Sequence, residues 1–508
     1  MAADSLPHAV PGTSSRAGTE PLEGGSVVAV PGRILAAAAA TVALLAAVSA
    51  GPAVAAPSAP PGVAVVAPPV PPLQVLPATT VTGSTVVAPM AAALAATLTP
   101  LLRSPALGSD ASLSVVDPAT GAVVYESFGG RPQPPASTLK VLTAATALRL
   151  LGPDTRLSTR VVLAGPGRIV LVGGGDPSLT RRPAGASSSP PGQRFAVASL
   201  DGLAARTVAA LSASRTTTVS LDFDDSLFGG PRTAPGWPVS YVATGVVSPV
   251  DALSADGGQV AAGAVTRSAD PGLAAATYFA RRLAAAGIKV AGTPARTTAP
   301  TISPAPAPTS APSTATAPTT APKVLAAVWS PTVADLVEQM LTVSDDDTAE
   351  TFAHLCGAKE SGFPGTFANG ATAMLNTLTG LGVSTVGVTL RDGSGLSLLD
   401  EVPASTLATT VAAIAVPGQR TLAAWPALTG MPVAGATGTL TDRFTGNAAG
   451  GRGVVRAKTG TLTGVVTLAG TVRTAQGQLL AFAVMADRVV VKVAAQHQVD
   501  RIAAALVG

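Results

Sequence analysis

The order of predicted strands and helices indicates an α+β fold whose antiparallel sheet is built from both ends of the chain. Two β-rich runs around an Asp-Pro-Ala-Thr-Gly turn predict a hairpin at Ser112–Tyr125. Near the C-terminus, residues 454–458, 465–472 and 479–485 predict three further antiparallel strands. Helical patterns lie between the two groups of strands, and such segregation is typical of α+β domains.

Apolar spacing and end signals predict the helices. Residues 137–151 follow two prolines, carry leucines at helical spacing and precede Gly152, which favours a helix there. Further helices are predicted at 274–286, at 333–341, from 347 to 355 as the start of a longer helix, and at 491–506.

Composition excludes several classes of function. Charged residues make up 12% of the 508 residues, against about 25% in typical globular chains. The single cysteine, Cys356, excludes an intrachain disulfide and a Cys-rich zinc or iron–sulfur site. The net charge is +4, but the basic residues are scattered, and a nucleic-acid binder needs a basic patch. We therefore expect no nucleic-acid partner.

The N-terminal region resembles an export signal. The apolar segment Ile34–Ala50 follows Arg33 and precedes small residues at 53–56 that would suit a signal peptidase. Residues 1–56 are therefore predicted to be a signal peptide, with an uncleaved membrane anchor as the alternative. A buried Ala-rich helix is disfavoured by the Pro-rich linker at 57–91. The mature protein is expected to be extracytoplasmic.

Three short motifs could carry chemistry. They are Ser-Thr-Leu-Lys from Ser137 to Lys140, Ser-Asp-Asp from Ser344 to Asp346, and Lys-Thr-Gly from Lys458 to Gly460. This ordered set is typical of serine acyl-transferring β-lactamases and penicillin-binding proteins. Each motif alone is weak, because Ser137 and Ser344 also fit helix N-termini and Lys-Thr-Gly fits the end of a strand.

The spacing within the first motif suits nucleophilic catalysis. Ser137 and Lys140 would lie on one helix face, one turn apart. A serine hydroxyl needs a neighbouring base, and Lys140 could serve in its neutral form, which burial or a second cation such as Lys458 would favour. The N–H groups at the helix start could stabilise an oxyanion.

Two other hydrolytic mechanisms fit the sequence less well. His354 and His497 could belong to a Ser-His-Asp triad, but no Gly-x-Ser-x-Gly motif accompanies them. The adjacent carboxylates at 345–347 could form a carboxylate pair, but a charged helix start explains them more simply.

The sequence resembles the class C low-molecular-mass penicillin-binding proteins, which are D-alanyl-D-alanine carboxypeptidases and endopeptidases. Five segments carry the resemblance: 171–177, 392–397, 438–444, 456–462 and 468–470. The resemblance extends from about residue 92 to the C-terminus and is patchy between residues 187 and 322.

The resemblance implies a penicilloyl-serine-transferase domain, similar to β-lactamases and transpeptidases, that an insert divides. The serine peptidase domain would comprise 92–165 and 323–508, and the β-rich accessory insert would comprise 166–322. The Pro/Thr-rich tract at 293–322 is predicted to be a disordered part of that insert.

The resemblance also implies a role for each motif residue. Ser137 would be acylated, with Lys140 as general base and Ser344 as proton relay to the leaving group. Lys458 and Thr459 would bind the substrate carboxylate. The substrate-binding residues would be Asp346, Thr459, Gly460 and Thr461, and the backbone N–H groups of Ser137 and Thr461 would form the oxyanion hole.

Its implied substrates are peptidoglycan stem peptides, and β-lactam antibiotics would be covalent inhibitors. No metal or organic cofactor is implied. Membrane attachment would depend on Ile34–Ala50.

The chain departs from the family pattern at two positions. Asp346 replaces an Asn, and Leu398 replaces a common Arg. An ionised Asp lacks the amide donor and could pair with Lys140, which would weaken the lysine as a base. A catalytically impaired wall-binding protein is therefore the alternative hypothesis, and a β-lactamase is a third that the large insert disfavours.

Overall fold

The computed structural model describes residues 87–181, 195–261, 263–301, 322–416 and 424–508. They belong to one compact unit that runs from Thr80 to Gly508. The predicted export segment, the linker up to residue 86 and residues 302–321 of the Pro/Thr-rich tract lie outside the described residues. Within the described ranges, no helix is long and apolar enough to cross a membrane.

The strands are β1 (Asp110–Val116), β2 (Val123–Ser127), β3 (Pro132–Gln133), β4 (Arg156–Gly165), β5 (Arg168–Val172), β6 (Thr218–Asp224), β7 (Lys289–Ala291), β8 (Lys323–Thr332), β9 (Val402–Pro403), β10 (Val455–Leu462), β11 (Val465–Arg473) and β12 (Leu479–Asp487). The helices are α1 (Val87–Leu102), α2 (Lys140–Leu150), α3 (Leu200–Ala213), α4 (Ser240–Ala243), α5 (Pro271–Ala285), α6 (Val333–Val343), α7 (Asp346–Ser361), α8 (Phe367–Gly380), α9 (Ala404–Ala415), α10 (Trp425–Thr429) and α11 (Lys492–Ala505).

The first sheet joins the two ends of the chain. Its strand order is β10-β11-β12-β1-β2, and every neighbouring pair is antiparallel. β1 pairs with β12 from Asp110 opposite Asp487 to Val116 opposite Ala481. The predicted α+β fold class and the predicted terminal strands are therefore confirmed.

Helices cover this sheet on both faces, so most side chains of its central strands are buried. Alternate residues of β12 enter different cores, because successive side chains in a strand point to opposite faces. Phe482 and Val484 pack with apolar residues of α11. Ala481 and Ala483 pack with apolar residues of α2 and α9. The small alanine side chains leave room for these helices close to the sheet.

A second sheet has the order β7-β6-β5-β4-β8, with parallel pairs between β5 and β6 and between β6 and β7. Apolar residues of α3 and α5 pack with this sheet. Besides three strands of the predicted insert it contains β4 and β8, which the sequence prediction assigned to the peptidase domain. The division of the chain into domains stays a prediction.

Candidate active site

Ser137 lies in a turn of 3-10 helix, Ala136–Leu139, that leads directly into α2. The predicted regular helix therefore begins one turn later than expected. Ala136 has φ of 47°, a left-handed conformation that costs free energy in a residue with a Cβ and is often found at functional sites. Pro135 O accepts hydrogen bonds from Thr138 Oγ1 at 2.6 Å and Thr467 Oγ1 at 2.8 Å, which fix this turn against β11.

Lys140 is fully buried, and its ammonium group donates three hydrogen bonds. Nζ lies 3.1 Å from Ser137 Oγ, 2.8 Å from Ser394 O and 2.5 Å from Asp346 Oδ1. A lysine ammonium has three N–H donors and no acceptor. Each donor therefore has one acceptor in this geometry, and the serine is one of the three.

Asp346 forms an ion pair with Lys140, as the sequence predicted for an ionised aspartate at this position. Its side chain is 19% exposed, and the lysine side chain is inaccessible to solvent. Burial raises the pKa of the Asp346 carboxyl, and the charge of Lys140 opposes that rise. The second motif thus contributes a carboxylate that contacts the amine next to the serine.

Lys458 and Ser344 form the second half of the cluster. Lys458 Nζ donates to Ser344 Oγ at 2.8 Å and to Thr459 O at 2.7 Å. Burial lowers the pKa of Lys458 well below its usual range, and the charge of Lys140 lowers it further. Ser344 ends α6 with φ of 63°, and Asp345 caps α7 by accepting from Thr348 N. The reading of Ser344 as a helix N-cap is therefore wrong.

Strand β10 does not end at the Lys-Thr-Gly motif, as the sequence suggested, but continues to Leu462. It is an edge strand of the first sheet. A Cβ on Gly460 would lie 2.1 Å from Thr467 Oγ1 and 2.8 Å from Pro135 O. Glycine at this position therefore lets β10 lie directly against the Ser137 turn.

Both threonines of the extended motif have side-chain partners near the cleft. Thr459 Oγ1 lies 2.9 Å from Thr439 Oγ1, and Thr461 Oγ1 accepts from Gln496 Nε2 at 3.5 Å. In the ladder between β10 and β11, Thr459 pairs with Leu468 and Thr461 with Val466. The two threonines are two residues apart in the strand, so their backbone N–H groups point to the same side.

The loop at 392–397 contacts Lys140, and a buried glutamate holds the loop in place. Nothing in the sequence had singled out this glutamate. Glu350 Oε1 accepts from Gly393 N at 3.1 Å and from Ser394 N at 2.8 Å. Burial raises the pKa of Glu350 well above its usual range, and the charge of Asp392 adds to this rise. Because Ser394 O accepts from Lys140, Glu350 positions the lysine indirectly.

Residues of the predicted insert also contact this loop. Trp237 Nε1 donates to Asp392 Oδ2 at 2.7 Å, and Ser397 Oγ donates to Pro235 O at 2.7 Å. Burial raises the pKa of Tyr241, and the charges of Asp346 and Asp392 raise it further. Sequence reasoning singled out the 392–397 segment but not these partners, which come from distant parts of the chain.

Neither His354 nor His497, the two histidines among the described residues, forms a triad with Ser137. His354 is buried in α7, where Nδ1 lies 2.9 Å from Glu350 O, and burial lowers its pKa to about 4. His497 is exposed on α11. Among the described residues, no group of three or more His, Cys, Asp or Glu side chains could hold a metal ion.

A serine turn and two buried lysines between a helix and an edge strand are typical of serine hydrolases of the penicilloyl-serine-transferase fold. Comparison with known proteins identifies the family. The chain belongs to the D-Ala-D-Ala carboxypeptidase 3 (S13) family, whose model matches residues 94–268 and 261–506. The predicted family, fold and serine carboxypeptidase class are therefore confirmed.

Characterised relatives and solved structures agree with this assignment. A carboxypeptidase of Mycobacterium tuberculosis is 34% identical over an alignment of 415 residues that covers 79% of this chain and 81% of the relative. The D-alanyl-D-alanine carboxypeptidase of an Actinomadura species is 30% identical, over 75% and 78% of the two chains. Penicillin-binding protein 4 of Haemophilus influenzae matches with a TM-score of 0.63 and 22% identity, over 80% of this chain and 97% of that one. That structural match shows the fold.

Proposed function

We propose that this chain removes the terminal D-Ala from peptidoglycan stem peptides, or cleaves their cross-links, through an acyl-enzyme on Ser137. Membership of the S13 family supports the reaction class. The observation that carries the assignment of residues is the 3.1 Å contact between Lys140 Nζ and Ser137 Oγ, beside the contact of Lys458 with Ser344.

In this mechanism, neutral Lys140 takes the proton of Ser137 as Oγ attacks the penultimate D-Ala carbonyl carbon. The backbone N–H groups of Ser137 and Thr461 hold the resulting oxyanion. Ser344 relays the proton that Lys140 has taken up to the nitrogen of the leaving D-Ala as the peptide bond breaks, and Lys140 is neutral again. Water then hydrolyses the ester and regenerates Ser137.

Substrate selection would depend on the positive charge of Lys458. Together with the Thr459 hydroxyl it would bind the terminal carboxylate of the peptide. A β-lactam carries a comparable carboxylate and a strained amide, so the same serine would open the ring and remain acylated. We therefore propose β-lactam antibiotics as covalent inhibitors; a solved β-lactam complex of the Haemophilus influenzae protein has a related fold.

Fluorescent penicillin and a pentapeptide ending in D-Ala-D-Ala test this proposal together. We expect stable labelling on a denaturing gel and release of D-Ala, and the loss of both in Ser137→Ala. The exposed serine at 384 provides the control variant Ser384→Ala. Undiminished D-Ala release by Ser137→Ala would contradict the mechanism, and rapid turnover of penicillin without label would indicate a β-lactamase.

The ion pair between Asp346 and Lys140 favours a second candidate, a catalytically impaired protein that binds wall peptides. Such a protein would take up no penicillin label as wild type and would gain it in Asp346→Asn. The same labelling experiment therefore separates the two functions.

We also propose that the protein acts outside the cytoplasmic membrane, where peptidoglycan lies, after export through Ile34–Ala50. Determining the N-terminus of the mature protein separates a cleaved signal from a retained anchor. A mature chain that begins after about residue 56 would exclude the anchor.

A further inference from the structure

The proposed mechanism needs Lys140 as a neutral amine, yet its surroundings suit an ammonium group. The three acceptors around Nζ are a hydroxyl, a backbone carbonyl and the Asp346 carboxylate oxygen. An amine that accepts the Ser137 proton has only two N–H groups to donate, so one of these contacts must reverse. With Asn at position 346 the neighbour would be uncharged.

From this geometry we infer that the ion pair with Asp346 hinders the transfer of the Ser137 proton to Lys140, so that acylation of Ser137 begins at a higher pH than with asparagine at position 346. This inference rests on the proposed function, because it concerns the base of that reaction. Asp346 acts through Lys140 and is a positioning residue, and it replaces the Asn of the family pattern.

Lys140 is the nearest opposite charge to Asp346. Lys140 on α2 contacts it directly, whereas Lys458 on β10 interacts with it only through a longer-range charge interaction. Asp345 and Asp347 beside it in the chain and Tyr241 from the insert also interact with its charge. The charge of Asp346 therefore acts most strongly on Lys140, because Coulomb energy falls with distance.

The pKa directions agree with the geometry. Burial lowers the pKa of Lys458, and the charge of Lys140 lowers it further, whereas Asp346 opposes the change. Replacing Asp346 by Asn removes the carboxylate that contacts Lys140 and leaves an uncharged amide in its place.

The pH dependence of acylation tests the inference. Fluorescent penicillin at saturating concentration gives the first-order acylation rate constant of wild type and Asp346→Asn between about pH 5 and pH 10. Since an opposite charge within contact distance shifts a titration by about one to three units, we expect the asparagine variant to reach half its maximal rate about one to three pH units lower. At neutral pH it should be acylated at least about tenfold faster.

Asp345→Asn is the matched control variant. It removes the same charge one residue away and preserves the helix cap, because Asn caps as well as Asp, and Asp345 does not contact Lys140. We expect its rate profile to shift by less than about half a pH unit. Repulsion between Asp346 and the penicillin carboxylate would instead change the half-saturating concentration and leave the profile at saturation unmoved.

A second measurement does not depend on activity. The chain has six lysines, so 13C labelling of their ε-carbons gives few NMR signals, and Lys458→Met and Lys140→Met assign two of them. We expect the Lys140 signal to titrate at a lower pH in Asp346→Asn than in wild type.

The outcomes separate this inference from the proposed function. If Ser137→Ala abolishes labelling but wild type and Asp346→Asn have superimposable profiles, the function stands and the inference is overturned. Titration of the Lys140 signal at the same pH in both proteins overturns it as well. If folded wild type and Asp346→Asn take up no label at any pH, the proposed acylation fails and the inference fails with it.

Discussion

Two neighbouring aspartates at the start of α7 lie in different electrostatic surroundings. Asp346 faces the cleft, where its Oδ1 lies 2.5 Å from Lys140 Nζ. Asp347 faces the predicted insert, where Oδ1 accepts from Ser248 N at 2.7 Å and the Arg267 guanidinium is 3.7 Å from Oδ2. In the cleft, the charged groups contact side chains of the proposed reaction. At the insert contact, a backbone N–H holds the Asp347 carboxyl. We expect its protonation to change the free energy of unfolding.

Lys458→Met should have the largest effect on the cleft. It removes the cation that contacts Ser344 Oγ and would bind the substrate carboxylate, so we expect acylation by fluorescent penicillin to fall by about 10²–10³-fold. The exposed lysine at position 492 provides the control, Lys492→Met, which should retain the wild-type rate. A variant at 458 with more than a tenth of the wild-type rate would show that the cleft does not depend on this charge.

Gly460→Ala tests the spacing of the cleft and leaves its charges unchanged. The added Cβ would lie 2.1 Å from Thr467 Oγ1 and 2.8 Å from Pro135 O, so β10 must move away from the Ser137 turn. A displacement of about 1 Å can cost about 10²-fold in rate, and we expect a loss of that size in acylation with circular dichroism unchanged. Gly450→Ala is the control, because nothing lies within 4 Å of its added Cβ. Equal rates in the two variants would contradict the close-approach argument.

The insert contact should respond to pH through stability. Burial raises the pKa of Asp347 from 3.8 to about 7, and the charge of Asp345 adds to this rise. The folded chain then binds more protons at this carboxyl than the unfolded chain, so the free energy of unfolding falls as pH rises from about 4 to about 7. Since one pKa unit corresponds to about 1.4 kcal/mol, Asp347→Asn should remove about 3 kcal/mol of the change between pH 5 and pH 8.

Urea unfolding of wild type and Asp347→Asn at pH 5 and pH 8 measures this difference. The exposed Asp154 supplies the control Asp154→Asn, which should retain the wild-type pH dependence. Asp251 shares the behaviour, since burial raises its pKa to about 7, and it should produce part of the slope that remains in Asp347→Asn. An unchanged slope in Asp347→Asn would mean that this carboxyl is already ionised in the folded protein at pH 5.

The sheet was predictable because its signals are local. The strands at 465–472 and 479–485 are apolar runs bounded by turn residues, and the structure extends them by only one or two residues, to Arg473 and Asp487. The 3-10 turn before α2 was not predictable, because it arises from packing. Pro135 and Ala136 are held by contacts with Thr467 and with Gly395, which lie far away in the chain.

The site residues also divide into those with a local signal in the sequence and those without one. Ser137 and Lys140 are three residues apart, so helical geometry brings them together, and their motif could be recognised. Glu350 reads as one more acidic residue on a helix, yet it accepts from Ser394 N, 44 positions later. Such long-range hydrogen bonds to backbone leave no pattern in one sequence. The pairing of Asp346 with Lys140 was foreseeable only because the resemblance marked position 346 as unusual.

Trp237→Phe tests one of the hydrogen bonds between the insert and the 392–397 loop and should have the smallest effect. It removes the indole donor to Asp392 Oδ2 and keeps the aromatic packing against Phe367. Asp392 still accepts from Gly395 N and Ser397 N at 2.7 Å, so the 392–397 loop, which contacts Lys140, should shift little. We expect a loss of about 1 kcal/mol in the free energy of unfolding and less than a tenfold change in acylation.

Trp329→Phe, at a tryptophan that is 54% exposed, is the control. A loss of acylation as large as that of Gly460→Ala would mean that the insert holds the catalytic lysine in place, and that the two regions act as one.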